Sequence, residues 1–252
     1  MDSILLEIDG ACATLVLNRP ARANAMDPPM AEALCKALDD VAARPEVAVL
    51  VLRGAGRNFC AGGDLQAVAE RPDAAPETVR DSLPILNEAV LKLHALPAIS
   101  IASLHGSAAG AGLSFALMAD LCIAARDTRF RPAYAGLGIS PDMGGSVAVS
   151  RVLGPRRAFA LLALEDELDA ARMAELGFVD RIAAPEALEA GTAAMVARLL
   201  SIPKEALLST RALVRSAPGR DLREQLDDEC DRLARLVGQP AYREALRGAL
   251  RR

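Results

Sequence analysis

The sequence predicts an α/β protein in which a β/α core is followed by a helical C-terminal part. Apolar runs rich in β-branched residues, such as VAVLVL (47–52) and AISIASL (98–104), have the composition of buried parallel strands. Segments with apolar residues at helical spacing alternate with them, which is typical of right-handed βαβ units. From about Pro141 onward, strand-like runs nearly vanish and helical spacing dominates.

The elements follow in order along the chain. ILLEID (4–9) and CATLVL (12–17) predict two strands of a hairpin, because Asp9-Gly10 is a typical turn pair. The alternation then predicts helices at 30–43, 82–96 and 113–120 and strands at 47–54, 98–104 and 121–125. We expect a β/α core domain over 1–200 and a helical part over 201–252. Ser201-Ile202-Pro203 is the expected joint, because proline starts a helix but cannot continue one.

The composition excludes several classes of function. The chain has 252 residues and a net charge of −4, which gives no electrostatic reason to expect nucleic acid or an anionic membrane as a partner. Its five cysteines are scattered without a CxxC pair, and its two histidines are too few for a histidine-based metal centre. No export signal and no apolar run of about 18 residues is found. We therefore expect a soluble, cytoplasmic protein without a metal.

Two turns rich in glycine and alanine follow predicted strands. They are RGAGRNFCAGGDL (53–65) and HGSAAGAGLSF (105–115). A dinucleotide fingerprint is excluded because Phe59 occupies the third glycine position, and no phosphate-binding GxxxxGK[ST] motif exists. Small residues let backbone N–H groups approach a ligand oxygen, so the turns predict a shared oxyanion hole, with a helix near Gly112 adding its dipole. Alternatively, the residues are small only because helices pack closely on the sheet.

Four segments, in this order and spacing, resemble the signature segments of the crotonase (enoyl-CoA hydratase/isomerase) superfamily. They are NRPARANAMD, NFCAGGDL, HGSAAGAGLSF and GLGISPDMGG, and the similarity runs over nearly the whole chain. The resemblance implies a crotonase-like spiral of ββα units with a helical C-terminal trimerisation part. It also implies a homotrimer or dimer of trimers, an acyl-CoA thioester as substrate, and no cofactor other than the CoA that the substrate carries.

The resemblance assigns the binding residues. The two oxyanion N–H groups fall on Gly63 and Ala111. NRPARANAM matches the segment that wraps CoA, so Ala23 and Ala25 offer backbone contacts, and Arg22 either meets a CoA phosphate or is simply solvated. The adenine and thioester side would be lined by Ala61, Gly63, Asp64, Leu65 and Gln66. We expect Asp64 to hold the turn through backbone N–H groups and to take no part in the chemistry.

The acid and base positions decide the expected reaction. The two glutamates of hydratases in this superfamily fall on Ser114 and Tyr134, and neither is a carboxylate. Asp142, just after the proline of SPDMGG, matches the acidic residue of some isomerases that move double bonds. The resemblance therefore implies double-bond isomerisation, in which apolar surroundings raise the Asp142 pKa and the carboxylate shuttles one proton.

Other interpretations of these residues stay open at this point. Asp142 could cap a helix beginning at Met143 or Gly144. The chain could be a hydratase in which Ser114, Tyr134 and Asp142 hold water, or a non-catalytic acyl-CoA-binding homologue. Cys60 and His105 are expected to be structural, Cys60 as a buried thiol.

Overall fold

The computed structural model describes residues 2–70 and 72–250. The chain forms two compact units, Met1–Val196 and Ala197–Arg252. The boundary falls inside a helix, a few residues before the division after residue 200 that the sequence suggests. Among the described residues, no helix has both the length and the apolar character of a transmembrane segment.

The described part of the first unit contains nine strands in two sheets. The strands are β1 (Ile4–Asp9), β2 (Cys12–Leu17), β3 (Val49–Gly54), β4 (Ile99–Leu104), β5 (Ser107–Ala109), β6 (Leu121–Ala125), β7 (Arg129–Arg131), β8 (Leu168–Asp169) and β9 (Arg181–Ala183). The larger sheet has the order β1-β2-β3-β4-β6-β9, and the smaller sheet has the order β5-β7-β8.

The larger sheet agrees with the pattern that predicted it. The hairpin of β1 and β2 is antiparallel and has the predicted bounds, with Asp9 opposite Cys12. The other neighbouring pairs of this sheet are all parallel, namely β2 with β3, β3 with β4, β4 with β6, and β6 with β9. Every residue of β4 is buried, as expected for a parallel strand covered on both faces.

Along the chain, the helices of the first unit lie between these strands or after the last of them. They are α1 (Pro28–Ala42), α2 (Leu65–Glu70), α3 (Ala75–Ala95), α4 (Gly110–Leu117), α5 (Gly145–Leu164), α6 (Ala170–Glu175) and α7 (Leu188–Leu200), whose last turn belongs to the second unit. Helix α5 is kinked at Gly154-Pro155, because proline cannot continue the hydrogen-bond ladder. Helices α1 and α3 pack against each other.

The buried helix α4 begins two residues earlier than the sequence suggests. Ala109 is still extended, with a φ of −133°, and Gly110 then turns the chain with a φ of +48°. The helix therefore begins at Gly110 and not near Gly112, and all its residues up to Ala116 are buried. The start of this helix lies directly after β5.

The second unit is helical, as predicted for the C-terminal part. It contains α8 (Lys204–Ser216), α9 (Leu222–Val237) and α10 (Pro240–Ala249). Gln225 of α9 is buried and donates a 3.2 Å hydrogen bond to the carbonyl of Leu213 on α8. Leu222, Leu226, Leu233 and Val237 lie on one face of α9 and are exposed.

Candidate active site

A cleft of about 200 Å³ lies in the first unit beside both glycine-rich turns. Its lining is mostly apolar, and it includes residues of α2, α3 and the segment before α5. Seven of the predicted site residues line it: Ala61, Gly63, Asp64, Leu65, Ala111, Tyr134 and Asp142. The other five, Arg22, Ala23, Ala25, Gln66 and Ser114, lie outside its lining.

The two glycine-rich turns are joined by their main chains. The N–H of Cys60 donates to the carbonyl of Ser107 over 3.1 Å, and the N–H of Ala109 donates to the carbonyl of Cys60 over 2.9 Å. Gly62 has a φ of +98°, and a Cβ there would lie 2.9 Å from the Ala109 oxygen and 3.3 Å from the Ala111 nitrogen. Only glycine allows this approach, because it has no Cβ that would collide with the backbone of the second turn.

Two backbone N–H groups beside the cleft, those of Gly63 and Ala111, make no hydrogen bond to an acceptor within the part of the chain that the structure describes. Ala111 is in the first turn of α4, where N–H groups lack partners within the helix, and no side chain caps this end. The N–H of Gly63 likewise makes no hydrogen bond with the described residues. Gly63 and Ala111 line the same cleft.

Asn24, which the sequence analysis did not identify, joins a third segment to the first of these turns. Asn24 is fully buried, and its amide nitrogen lies within 3.0 Å of the carbonyl oxygens of Ala55, Asn58 and Phe59. Its φ is +58°, a left-handed conformation that asparagine tolerates better than most residues. The sequence offered one signal for this role of Asn24, which is that an asparagine stands within the small-residue run ARANA.

The charged residues at one side of the cleft form an ion-pair network. Asp64 lies 2.8 Å from an Arg22 nitrogen and 3.2 Å from an Arg19 nitrogen, and Arg19 also pairs with Asp27 over 2.8 Å. Arg22 also donates to the side chain of Gln66. Arg22 is therefore an ion-pair partner, which overturns the expectation of a simply solvated arginine. The sequence analysis did not identify Arg19. The available signal was a second positive charge in the segment NRPARANAM, which also carries Arg22.

Asp64 holds the turn, as the sequence predicts. Its carboxylate accepts a 3.3 Å hydrogen bond from the N–H of Ala67, in the first turn of α2. Burial raises the pKa of Asp64, but the Ala67 N–H and the two arginines outweigh burial and bring the pKa below its usual value. Asp64 is therefore ionised at neutral pH and bound to cations, which makes it unsuitable as a proton acceptor.

Asp142 has a different environment from the other carboxylates of the cleft. In the described residues, Asp27 and Asp64 pair with arginines, whereas Asp142 has no basic partner and accepts a 2.7 Å hydrogen bond from the Tyr134 hydroxyl. Burial raises the pKa of Asp142, while the Tyr134 hydroxyl and the Asp142 N–H lower it in part. An unpaired carboxylate with a raised pKa is chemically suited to accept and return a proton.

The interpretation of Asp142 as a helix cap is wrong. Helix α5 begins at Gly145, its N-cap is Gly144, and no side chain caps it. Only the main-chain carbonyl of Asp142 takes part, by accepting the N–H of Gly145 over 2.9 Å. Met143 and Gly144 have positive φ angles, so the chain turns sharply between Asp142 and the first residue of α5.

Ser114 and Tyr134 form a buried pair of hydroxyl groups behind Asp142. Their oxygens are 2.6 Å apart, and the side chains are 2% and 4% exposed. Tyr134 lines the cleft, whereas Ser114 does not, and both line a separate small apolar void. Burial raises the pKa of Tyr134, so its hydroxyl is neutral and donates a hydrogen bond.

Cys60 and His105 have structural roles, as predicted. The Cys60 thiol is completely buried, donates to the Asn24 carbonyl over 3.1 Å, and has a pKa that burial raises to about 12. A ring nitrogen of His105 lies 3.0 Å from the Gly56 carbonyl oxygen. Within the described chain, no group of three or more histidine, cysteine or acidic side chains is arranged to hold a metal ion.

A larger groove of about 1060 Å³ lies elsewhere on the first unit. It is wide open to solvent, and both acidic side chains and arginines line it, among them Arg53, Arg129 and Glu189. None of the predicted site residues lines this groove. The smaller apolar cleft, where few polar groups converge, is therefore the candidate active site.

Proteins of known sequence are similar to this chain over nearly its whole length. The family model described as "Enoyl-CoA hydratase/isomerase" matches residues 7–248. The 1,2-epoxyphenylacetyl-CoA isomerase of Escherichia coli (strain K12) is 37% identical over 249 residues, which cover 98% of this chain and 94% of that protein.

Solved structures are also similar to this chain over nearly its whole length. An enoyl-CoA hydratase from Polaromonas sp. JS666 superposes with a TM-score of 0.92 at 32% identity, covering 98% of this chain and 96% of that one. A Thermobifida fusca YX protein solved in complex with CoA has a TM-score of 0.85 at 31% identity, covering 94% of this chain and 93% of that one. The chain therefore belongs to the enoyl-CoA hydratase/isomerase family, that is, to the crotonase superfamily that its four signature segments resemble.

Proposed function

We propose that this chain is an acyl-CoA enzyme that moves a double bond along the acyl group, with Asp142 as the proton shuttle. One observation carries the proposal: among the described residues, Asp142 is the one carboxylate of the cleft without a basic partner. A single carboxylate suffices for isomerisation, whereas hydration in this superfamily uses two. The positions expected for those two are Ser114 and Tyr134.

The proposed reaction transfers one proton in two steps. The thioester oxygen accepts hydrogen bonds from the N–H groups of Gly63 and Ala111, which stabilise the negative charge of an enolate. Asp142 removes a proton from the carbon next to the thioester, and the electrons of that C–H bond enter the enolate. The protonated Asp142 then returns the proton two carbons away, which converts a 3-enoyl into a 2-enoyl thioester.

The lining of the cleft supports an apolar acyl group as the part that is bound. Four large apolar side chains of the cleft are exposed in the described structure: Leu65, Val79, Leu137 and Ile139. Exposed apolar residues that gather in one concave place typically mark a binding site. Burying them against an acyl chain would remove this apolar surface from water.

CoA is proposed to bind along the segment that carries Arg22, Ala23 and Ala25, with Gln66 beside it. The complex of the Thermobifida fusca relative with CoA supports a CoA thioester as the ligand. Arg22 is 38% exposed, so its guanidinium can meet a phosphate while it keeps its contact with Asp64. The proposed chemistry needs no cofactor beyond the CoA of the substrate.

A homotrimer or dimer of trimers is proposed for the assembly. Within the second unit, Leu222, Leu226, Leu233 and Val237 make an exposed apolar stripe on α9. Their spacing of four, seven and four residues places them on one helix face, and soluble proteins rarely leave such a face in water. Contact with other copies of the chain would cover it.

Hydration of 2-enoyl-CoA is the second candidate function. It is favoured by the solved relative from Polaromonas, which is described as an enoyl-CoA hydratase. In that reaction, Asp142 and the Tyr134 hydroxyl would hold the water. A non-catalytic acyl-CoA-binding homologue is the remaining alternative, in which the cleft binds the thioester and no turnover follows.

One experiment distinguishes the three candidate functions. Purified wild type and Asp142→Asn are assayed with 3-enoyl-, 2-enoyl- and aryl-acyl-CoA thioesters, and CoA ester binding is measured by calorimetry. We expect wild type to convert 3-enoyl to 2-enoyl thioester, and the variant to bind with similar affinity but lose at least about 1000-fold in kcat. Asp169→Asn is the matched control, because Asp169 caps α6 away from the cleft and asparagine caps equally well.

The contrary outcomes are distinct. Addition of water to 2-enoyl-CoA without double-bond migration would establish the hydratase. Binding without any turnover in wild type would establish the non-catalytic homologue.

A further inference from the structure

The hydroxyl pair behind Asp142 has a defined role in the proposed proton transfer. We propose that Tyr134, held in place by Ser114, is a positioning residue that fixes the Asp142 carboxylate through Oδ1 and leaves Oδ2 as the oxygen that exchanges the proton with substrate. This inference rests on the proposed function, and it adds the residues that orient the base.

The hydrogen-bond directions follow from the chemistry of the three groups. An ionised carboxylate only accepts hydrogen bonds, so the Tyr134 hydroxyl donates to Asp142 Oδ1 over 2.7 Å. Tyr134 has then used its single proton. The 2.6 Å contact with Ser114 therefore requires the serine hydroxyl to donate to the tyrosine oxygen. Both hydroxyl protons point toward the carboxylate, which stabilises its charged form.

The second carboxylate oxygen is left free for the reaction. Among the described residues, Tyr134 provides the side-chain donor to Asp142, and it contacts Oδ1. The Asp142 N–H is the other donor to this carboxylate, and no side chain of the described residues donates to Oδ2. Because Asp142 lines the cleft, the proposal assigns Oδ2 to the substrate side.

The far end of the hydroxyl chain is closed. Ser114 faces a small apolar void of about 10 Å³, at the lower limit of the space that one water molecule needs. Gly145 packs directly on the serine, since a Cβ there would lie 2.2 Å from Ser114 Oγ. The serine hydroxyl is thus held on one side by α5, and the void leaves little room for water beside it. Relay of the Asp142 proton along Ser114 is therefore not part of the proposed transfer.

The other titratable groups of the cleft do not replace Tyr134 in this role. Asp27 and Asp64 are bound to Arg19 and Arg22, and these four charged groups form their own network. In the described structure, none of these arginines makes an ion pair with Asp142. Tyr134 is therefore the group whose removal changes the environment of Asp142 most.

The test uses Tyr134→Phe and Ser114→Ala, each in the full-length protein. Tyr134→Phe keeps the ring and removes the hydroxyl that lowers the Asp142 pKa, so that pKa should rise. It is measured without substrate, by ¹³C NMR titration of protein labelled at aspartate carboxyl carbons, with Asp142→Asn identifying the signal. Tyr242→Phe is the matched control for the tyrosine, because Tyr242 is partly exposed on α10 of the second unit.

The kinetic readout is the pH profile of 3-enoyl-CoA isomerisation. In Tyr134→Phe, kcat should fall about 10-fold or more with little change in KM, and the acidic limb of kcat/KM should move to higher pH. Ser114→Ala should act in the same direction with a smaller effect, about threefold in kcat. Ser103→Ala is its control, since Ser103 forms a buried 2.8 Å hydroxyl pair with Thr192 and does not line the cleft.

Two results would overturn the inference. One is an Asp142 titration that does not move in Tyr134→Phe, and the other is a Tyr134→Phe variant with unchanged kcat and pH profile. If wild type proves to lack isomerase activity while the NMR titration still moves, the positioning of Asp142 stands and the proposed reaction fails. Circular dichroism of each variant excludes misfolding as the cause.

Discussion

Arg22 and Asp64 form a 2.8 Å ion pair that ties the segment after β2 to the start of α2. The Asp64 side chain is only 7% exposed, and Arg19 contacts its other oxygen over 3.2 Å. Two cations therefore share one nearly buried carboxylate at the edge of the cleft. The pair connects a segment proposed to bind CoA with the turn that carries Gly63.

This ion pair predicts a pH-dependent contribution to stability. Because the Asp64 pKa is lowered in the folded protein, its contribution is present above the unfolded pKa of about 3.9 and is lost as pH falls through the folded value. Asp64→Asn should lower the free energy of unfolding by about 1–2 kcal/mol at pH 7. Urea denaturation at pH 7 and near pH 3 measures this, and the difference from wild type should shrink at the lower pH. An equal difference at both values would contradict it.

The proposed oxyanion hole predicts a specific loss at Ala111. Ala111→Pro removes one N–H in the first turn of α4, where proline is tolerated in helices. Since one such donor contributes about 10²–10³ in kcat, we expect a loss of that size with CoA ester binding retained. Ala111→Gly keeps the N–H and is the matched control. Equal kcat in the two variants, each folded by circular dichroism, would exclude the Ala111 donor.

Neighbouring glycines of the first turn should respond differently to a methyl group. A Cβ at Gly62 meets the Ala109 oxygen at 2.9 Å in a backbone with positive φ, whereas nothing lies within 4 Å of a Cβ at Gly63. We expect Gly62→Ala to lower the free energy of unfolding by about 2 kcal/mol and Gly63→Ala to change it by less than about 0.5 kcal/mol. Thermal and urea unfolding compare the two proteins. Similar stabilities of Gly62→Ala and Gly63→Ala would show that the fold does not depend on the close approach of the two turns at Gly62.

The apolar stripe of α9 predicts self-association. In analytical ultracentrifugation, the wild-type protein should sediment at three or six times the chain mass of 26.4 kDa. Leu226→Glu places a charge in the middle of the stripe, so the mass should fall toward that of a single chain. Glu224→Lys changes an exposed charge on the opposite face of α9 and should leave the assembly unchanged. A wild-type protein of single-chain mass would contradict the proposed oligomer.

Periodicity predicted five of the nine strands of the described structure, and the short strands β5, β7, β8 and β9 were not predicted. The bounds of β1 and β2 followed from alternating apolar residues and the Asp9-Gly10 turn, because these signals are local. The four signature segments placed seven of the predicted residues around one cleft. The start of α4 was missed by two residues, because Gly110 turns the chain with a positive φ directly after β5, a short strand that the composition did not indicate.

The sequence by itself determined the fold class, the family, and the residue types that chemistry can use at each turn. Only the tertiary structure decided which partners those residues have. It joined Ser114 and Tyr134 to Asp142, although Ser114 is 20 residues before Tyr134 in the chain. It also bound Asp64 to Arg19 and Arg22, whereas Asp142 has no basic partner among the described residues. The reason is physical: secondary structure follows from local spacing, whereas a pKa and a hydrogen-bond direction depend on distances of about 3 Å between distant parts of the chain.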